Sequence, residues 1–205
     1  MHHLALRHLR AADPALGRVI ARVGPYALAP RTDGTHFDYV VRCIIGQQLS
    51  GKAAQTIYQR VLALYGGRAP TPAELAKTSD PKLRAAGLSG RKSEYVRELA
   101  AHAARRTIAI ERLHEMSDDD VMATLVSVRG IGRWTAQMVL MFRLGRPDVL
   151  PELDLGVQKA VQRLYRLRAL PTPEKLQKLG AKWAPWRTIA SWYLWRSLEL
   201  PKARA

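Results

Sequence analysis

Apolar residues recur three and four positions apart along most of this chain, and that spacing constrains its fold more than any other feature. It is the period of an α-helix that buries one face. No long stretch alternates apolar and polar residues as a half-buried strand would. The sequence therefore predicts an all-α protein. The helical stretches are residues 37–49, 53–65, 91–104, 118–128, 134–144, 155–167 and 186–198.

Short loops of turn-forming residues separate these stretches, as at Gly66-Gly67. Cap signals mark several helix starts. They are Ser50, Ser117 and the Thr-Pro pairs at 71–72 and 172–173. These signals concern folding and carry no information about function.

The chain is strongly basic, with 33 Lys and Arg residues against 17 Asp and Glu, a net charge of +16. The basic residues are spread along all 205 positions rather than gathered in a tail. A folded basic face that binds a polyanion is one interpretation. The other is a compositional bias with solvated helix faces, and charge alone does not choose between them.

The single cysteine, Cys43, excludes a disulfide framework, a multi-cysteine zinc site and a four-cysteine iron-sulfur cluster. No stretch approaches the roughly 18–20 apolar residues of a membrane span, so no membrane partner is expected. The first residues lack the apolar core and cleavage site of a signal peptide. We therefore expect a protein that is not secreted and works in the cytoplasm with the nucleoid, or in the nucleus of a eukaryote.

The segment VSVRGIGRWTA, residues 126–136, is the most informative for function. The turn Gly130-Ile131-Gly132 lets the backbone approach a ligand closely, and Arg133 then opens an apolar helix. The first N–H groups of that helix have no partner within it. Such a helix start favours an anion, for instance a phosphate.

Five segments together resemble the helix-hairpin-helix superfamily of DNA glycosylases, and most closely its 3-methyladenine DNA glycosylase II, or AlkA-like, branch. They are IIGQQLSGKAA at 44–54, GLSGRKSEYVRELA at 87–100, VRGIGRWTAQMVL at 128–140, LPELDLGVQKA at 150–160 and APWRTIASWYLW at 184–195. The resemblance implies an enzyme that flips an alkylated base out of duplex DNA and cuts its N-glycosidic bond, beginning base-excision repair.

It also implies two helical lobes with a cleft between them and no N-terminal β-domain. We place residues 1–36 and 155–205 in one lobe and 37–154 in the other, with the helix-hairpin-helix at about 118–144. Damaged double-stranded DNA is the implied partner, and we expect a monomer. The resemblance implies no required cofactor and no iron-sulfur cluster.

Asp154 matches the catalytic aspartate of the family, which supports a cationic sugar and positions or deprotonates the attacking water. Taken alone, Asp154 is more typical of an N-cap for the following helix. The two roles are compatible, because a helix N-terminus stabilises a carboxylate.

Trp134 stands where relatives that also cut the strand carry a Schiff-base lysine, so the chemistry predicted is hydrolysis without strand cleavage. Trp134 and Trp186 are candidates to clamp a cationic base. Met138 and Tyr39 complete the predicted base pocket, although Tyr39 suits the core equally. Of the other tryptophans, the spacing favours core positions for 192 and 195 and leaves 183 undecided.

The resemblance places Gln47, Gln48 and Leu49 in the segment that fills the gap left by the flipped base, with Gln48 at the wedge position. Without the resemblance, a polar turn capped by Ser50 is preferred. Ser89, Arg91 and Lys92 form a second basic turn. It suits phosphate contact and an ordinary solvated cap equally.

The hairpin should hold phosphates through Gly130, Ile131 and Gly132 with Arg133 and Thr135. The resemblance also implies a possible Na⁺ or K⁺ on the backbone carbonyls of Val126, Val128 and Ile131. The competing hypothesis is a non-catalytic helix-hairpin-helix DNA-binding module. That alternative gives no reason for Asp154, Trp134 and Trp186 together.

Overall fold

The computed structural model describes residues 2–201, and these fold into α-helices joined by short loops with no β-strand among them. The all-α prediction is confirmed. The helices are α1 (His2–Ala12), α2 (Pro14–Val23), α3 (His36–Gly46), α4 (Gly51–Ala63), α5 (Pro72–Lys77), α6 (Asp80–Ala85), α7 (Gly90–Ala104), α8 (Asp118–Val126), α9 (Arg133–Phe142), α10 (Leu155–Leu164), α11 (Pro173–Gly180) and α12 (Arg187–Glu199). Two 3-10 turns cover Ile110–Glu115 and Ala181–Trp183.

The chain divides into two compact units, residues 1–30 with 145–205 and residues 31–144. We call them the terminal unit and the central unit. The sequence predicted that the chain passes from one unit to the other after residues 36 and 154. In the structure, residues 31–36 belong to the central unit and residues 145–154 to the terminal unit. Backbone hydrogen bonds explain the shift: Arg31 N–H donates to Phe142 O at 2.7 Å, and Thr188 N–H donates to Pro147 O at 3.0 Å.

The predicted caps are present at the helix starts. Ser50, Ser117 and Thr172 each accept a hydrogen bond from the third helical N–H, and Thr71 forms a reciprocal capping box with Glu74. Helix α3 ends three residues earlier than predicted. The chain leaves helical geometry at Gln47, with ψ 128°, and turns left-handed at Gln48, with φ 58°.

The terminal unit packs α1, α2, α10 and α12 around a core that includes Leu9, Leu16 and Trp183. Asp13 lies inside this core at 1% exposure and caps α2. It also accepts hydrogen bonds from the Tyr165 hydroxyl and the Trp183 indole. The buried carboxylate therefore links three parts of the unit, and Trp183, undecided from sequence, is a core residue.

The central unit packs α4, α7 and α9 against α3, seven of whose eleven residues are buried. Asp38 is buried on α3 at 3% exposure and accepts a hydrogen bond from the Tyr58 hydroxyl. It also pairs with Arg42 at 2.9 Å. Helices α8 and α9 pack together as a hairpin whose connecting turn is residues 127–132.

Candidate functional site

The hairpin turn of the central unit depends on Gly130. Its φ is 88°, in the left-handed region that disfavours residues with a Cβ. A Cβ there would also lie 2.2 Å from Cγ of Tyr95, so the Tyr95 ring covers the glycine directly. Backbone conformation and close packing therefore both require glycine. Tyr95 was not predicted as part of this site.

A groove of about 470 Å³ lies beside this turn and collects most of the predicted DNA-binding residues. Its lining is neutral or basic throughout. The lining residues are Gln47, Gln48, Ser89, Arg91, Lys92, Tyr95, Gly130, Ile131 and Gly132. Segments that lie more than 80 positions apart in the chain are thus brought to one concave surface.

Gln47 faces into the protein rather than out of the groove. Its side-chain amide donates to the carbonyl oxygen of Gly130 at 2.9 Å and to Oγ1 of Thr135 at 3.3 Å. Thr135 is only 3% exposed, so its side chain makes an internal contact where the sequence predicted a phosphate contact. Gln47 and Thr135 hold the turn after α3 against the hairpin.

Gln48 and Leu49 project from that same turn. Gln48 has a positive φ, a conformation that costs a non-glycine residue roughly 1–2 kcal/mol and is often retained at functional positions. Both side chains are exposed, Leu49 by 40%. The turn therefore presents the two residues for which the sequence predicts a wedge role.

Lys92 has a structural partner that the sequence did not reveal. Its ammonium donates to the carbonyl oxygens of Ile45 at 2.7 Å and Gln47 at 2.6 Å, at the C-terminal end of α3. Partial burial lowers its pKa. Ser89 caps α7 by accepting from the Lys92 N–H, which leaves Arg91 as the exposed cation of this turn.

The predicted pocket residues of the central unit differ in exposure. Trp134 is 37% exposed in the first turn of α9, and Met138 lies one turn later at 8%. Tyr39 is 9% exposed on α3, and the Arg143 guanidinium lies 5.9 Å from its ring centroid. Burial raises the pKa of Tyr39, so its phenol is no acid at neutral pH. Tyr39 packs within the core, which suited its position in the sequence as well as a place in the base pocket did.

Asp154, in the terminal unit, is the N-cap of α10. Its Oδ1 accepts a hydrogen bond from the Val157 N–H at 2.8 Å and a second from the Trp195 indole N–H, also at 2.8 Å. The cap predicted from sequence is present. The Trp195 contact was missed, because core packing was expected there and the two residues are 41 positions apart.

Trp186 lies at the N-terminal end of α12, half-buried against the core and preceded by a cis Ala184–Pro185 bond. The next residue, Arg187, forms a two-point ion pair with Asp148, at 2.7 and 2.8 Å. Its main-chain N–H also donates to Asp148, at 3.1 Å. The hydrogen bonds that Arg187 donates to Asp148 raise the pKa of Arg187. This pair fixes the helix start that carries Trp186.

The carbonyls proposed to bind a monovalent cation lie at the hairpin turn. Val126 is the last residue of α8, where carbonyls lack partners within the helix, and Val128 accepts from the Ile131 N–H at 3.1 Å. Neutral carbonyl oxygens suit Na⁺ or K⁺ in charge, and each has two lone pairs. Within residues 2–201, no group of three or more His, Cys, Asp and Glu side chains could hold a metal ion. No helix in that range has the length and apolarity to cross a membrane.

The family model of HhH-GPD superfamily base excision DNA repair proteins matches residues 41–185, well over half of the chain. The matched range includes the groove, the hairpin and Asp154. The chain belongs to the HhH-GPD superfamily. The helix-hairpin-helix resemblance drawn from the sequence is therefore confirmed, as is the 3-methyladenine glycosylase type by the names of its relatives.

Relatives of this HhH-GPD protein come from bacteria and yeasts. Bacillus subtilis YfjP is 36% identical over 82% of this chain, which spans 60% of the length of YfjP. DNA-3-methyladenine glycosylase 1 of Schizosaccharomyces pombe is 33% identical over 94% of this chain and 86% of its own. The solved structure of S. pombe Mag1, a 3-methyladenine DNA glycosylase in complex with abasic DNA, superposes with a TM-score of 0.86 at 32% identity, covering 98% of this chain and 99% of Mag1.

Proposed function

We propose that this HhH-GPD protein is a monofunctional DNA glycosylase for alkylated purines of the 3-methyladenine and 7-methylguanine type in duplex DNA. The observation that carries the proposal is Asp154, which two N–H donors hold at the start of α10. A carboxylate fixed in this way suits the stabilisation of a positively charged sugar. The similarity to S. pombe DNA-3-methyladenine glycosylase 1 supports the substrate class.

The reaction needs little from the protein at the leaving group. In a cationic alkylpurine the C1′–N bond breaks with its electron pair going to the base, which leaves uncharged. Asp154 stabilises the positive charge that develops on the sugar, and water then attacks C1′. The water proton passes to Asp154 or to solvent, and the product is an abasic site with an intact strand.

The proposal that the strand stays intact depends on the lack of an amine at the reacting carbon. Trp134 occupies the position of the Schiff-base lysine in strand-cutting relatives, so no imine with the sugar can form there. Lys159, the first lysine after Asp154, is exposed on α10. An aromatic face instead attracts a cationic base, by on the order of 0.5–2 kcal/mol.

DNA binding is assigned to the groove and hairpin of the central unit. Main-chain N–H groups around Gly130 and Gly132, together with Arg91 and Arg133, would hold phosphates without regard to sequence. Gln48 and Leu49 would enter the space left by the flipped base. A monovalent cation on the hairpin carbonyls would add one positive charge beside a phosphate.

The deciding experiment measures base release from duplexes that each carry one defined lesion. We expect free 3-methyladenine and 7-methylguanine, with strands that break only after alkali or heat. Nicking without such treatment would contradict the monofunctional assignment. DNA binding without release of any base would instead favour the non-catalytic module.

The cation clamp is tested by Trp186→Ala. Release of cationic bases should fall more than release of the neutral base hypoxanthine, because stacking serves both but the cation–aromatic attraction serves only the charged lesion. The variant Trp192→Ala, on the same helix, is the control. Equal losses for both lesion classes would count against the clamp.

A further inference from the structure

We propose that Trp195 is a positioning residue that fixes the plane of the Asp154 carboxylate, and that Gly156 is required for this contact. The proposal rests on the catalytic role proposed for Asp154. The new proposal concerns how the Asp154 carboxylate is oriented, not its part in the reaction. Trp195 itself is not assigned any contact with DNA.

Two donors from different helices converge on one oxygen of Asp154. The Val157 N–H belongs to α10 itself, and the Trp195 indole N–H comes from α12, each at 2.8 Å from Oδ1. The terminal torsion of a carboxylate is soft, and its two oxygens are equivalent as caps. A helix cap alone would therefore let the group rotate. The second donor, from a separate direction, fixes the position of the accepting oxygen and so sets the plane of the carboxylate.

Gly156 provides the space through which the indole reaches the carboxylate. A Cβ at this position would lie 2.9 Å from Cδ1 of Trp195, 3.0 Å from Oδ1 of Asp154 and 3.1 Å from the indole nitrogen. Glycine inside a helix is destabilising relative to alanine, and here its backbone freedom is not needed, since its φ is not positive. The contact between Asp154 and Trp195 is what this glycine accommodates.

The indole is held rigidly enough to act in this way. Helix α12 packs along α10, and the Trp195 ring packs against the core of the terminal unit. An indole has one hydrogen-bond donor and no acceptor, so it can orient the carboxylate without exchanging protons with it. A fixed donor costs no reorganisation during the reaction.

The first test is single-turnover base release by Trp195→Phe, which keeps an aromatic ring and removes the N–H. We expect a rate about ten-fold or more below wild type, the size of one hydrogen bond to a charged group, with unchanged affinity for abasic DNA. Gly156→Ala should reproduce this loss of rate. The matched control is Trp192→Phe: Trp192 lies on α12 and packs edge-on to Tyr26 instead. A Trp195→Phe rate within two-fold of wild type would overturn the proposal.

The second test is independent of activity and observes the indole N–H signals by NMR. Asp154→Asn replaces a charged acceptor with a neutral one, so it should shift the Trp195 indole N–H signal. The signal of Trp183, whose indole donates to Asp13, should not change and is the internal reference. An unmoved Trp195 signal would overturn the contact itself. Wild-type protein that releases no base would overturn the proposed function, and the positioning role with it. Active wild type with an equally active Trp195→Phe would overturn the positioning role alone.

Discussion

The side-chain amide of Gln47 donates to the carbonyl oxygen of Gly130, 83 positions away in the chain, at 2.9 Å. This bond ties the turn after α3 to the hairpin turn between α8 and α9. Lys92 on α7 also binds this turn, by donating to the carbonyl oxygen of Gln47. The exposed residues Gln48 and Leu49 therefore follow a residue that partly buried polar contacts hold in place, and a change in these contacts should alter the groove.

Gln47→Leu should weaken both stability and DNA binding. It removes the hydrogen bonds to Gly130 and Thr135 and leaves two acceptors without this donor, which lowers the free energy of unfolding by about 1–3 kcal/mol. Urea unfolding and fluorescence anisotropy with abasic DNA measure the two effects. Gln59→Leu, at an exposed position on α4, is the control. Identical behaviour of the two variants would contradict a bracing role for Gln47.

Gly130→Ala should be strongly destabilising, whereas Gly132→Ala should be nearly neutral. At Gly130 the added Cβ meets the Tyr95 ring in a left-handed backbone, and strain with overpacking should cost at least about 2 kcal/mol. At Gly132 nothing lies within 4 Å of a Cβ and φ is negative, at −88°. Thermal unfolding of the two variants gives the comparison. Similar melting temperatures would show that Tyr95 moves aside.

Asp154→Asn should slow base release strongly without unfolding the protein. Asparagine caps helices as well as aspartate, and its oxygen still accepts from Val157 and Trp195. The variant loses the negative charge and has an amide NH2 in place of one carboxylate oxygen, and we expect release to slow by about a hundred-fold or more. Single-turnover kinetics and abasic-DNA affinity measure this. Retained activity would remove Asp154 from the reaction.

Asp13 should make the folded protein sensitive to acid. Burial raises the pKa of this carboxyl, but hydrogen bonds from Tyr165, Trp183 and the Leu16 N–H together outweigh burial and hold the pKa below its ordinary 3.8. A pKa depressed by folding contributes stability that is present above about pH 4 and lost as the pH falls through the lower, folded value. Asp13 therefore stabilises the neutral protein and not the protein in strong acid.

The variant Asp13→Asn measures this contribution. At pH 7 it should lower the free energy of unfolding by about 1–3 kcal/mol, and it should lose less stability than wild type between pH 5 and pH 3. Urea unfolding at each pH gives both numbers. Asp119→Asn, at an exposed position on α8, should follow the wild-type curve. If Asp13→Asn lost as much stability as wild type between pH 5 and pH 3, the loss would come from other carboxyl groups.

Local signals in the sequence predicted most of the helices. The apolar period located α3, α4 and α7 to within a few residues, because one buried face is enough to produce it. It did not single out α2 or α6. The end of α3 was predicted three residues too late, since nothing in the residue types of Gln47 and Gln48 predicts a turn that contacts with distant residues hold in place.

The sequence by itself determined the fold class, the helix caps, the glycine turn and the absence of a lysine at position 134, because each depends on residues close together in the chain. Tertiary structure decided which side chains serve one another. Gln47, Thr135 and Lys92 bind inward, and Trp195 reaches Asp154 past Gly156. Such contacts join residues tens of positions apart, and a hydrogen bond needs a distance and a direction that only the folded chain supplies.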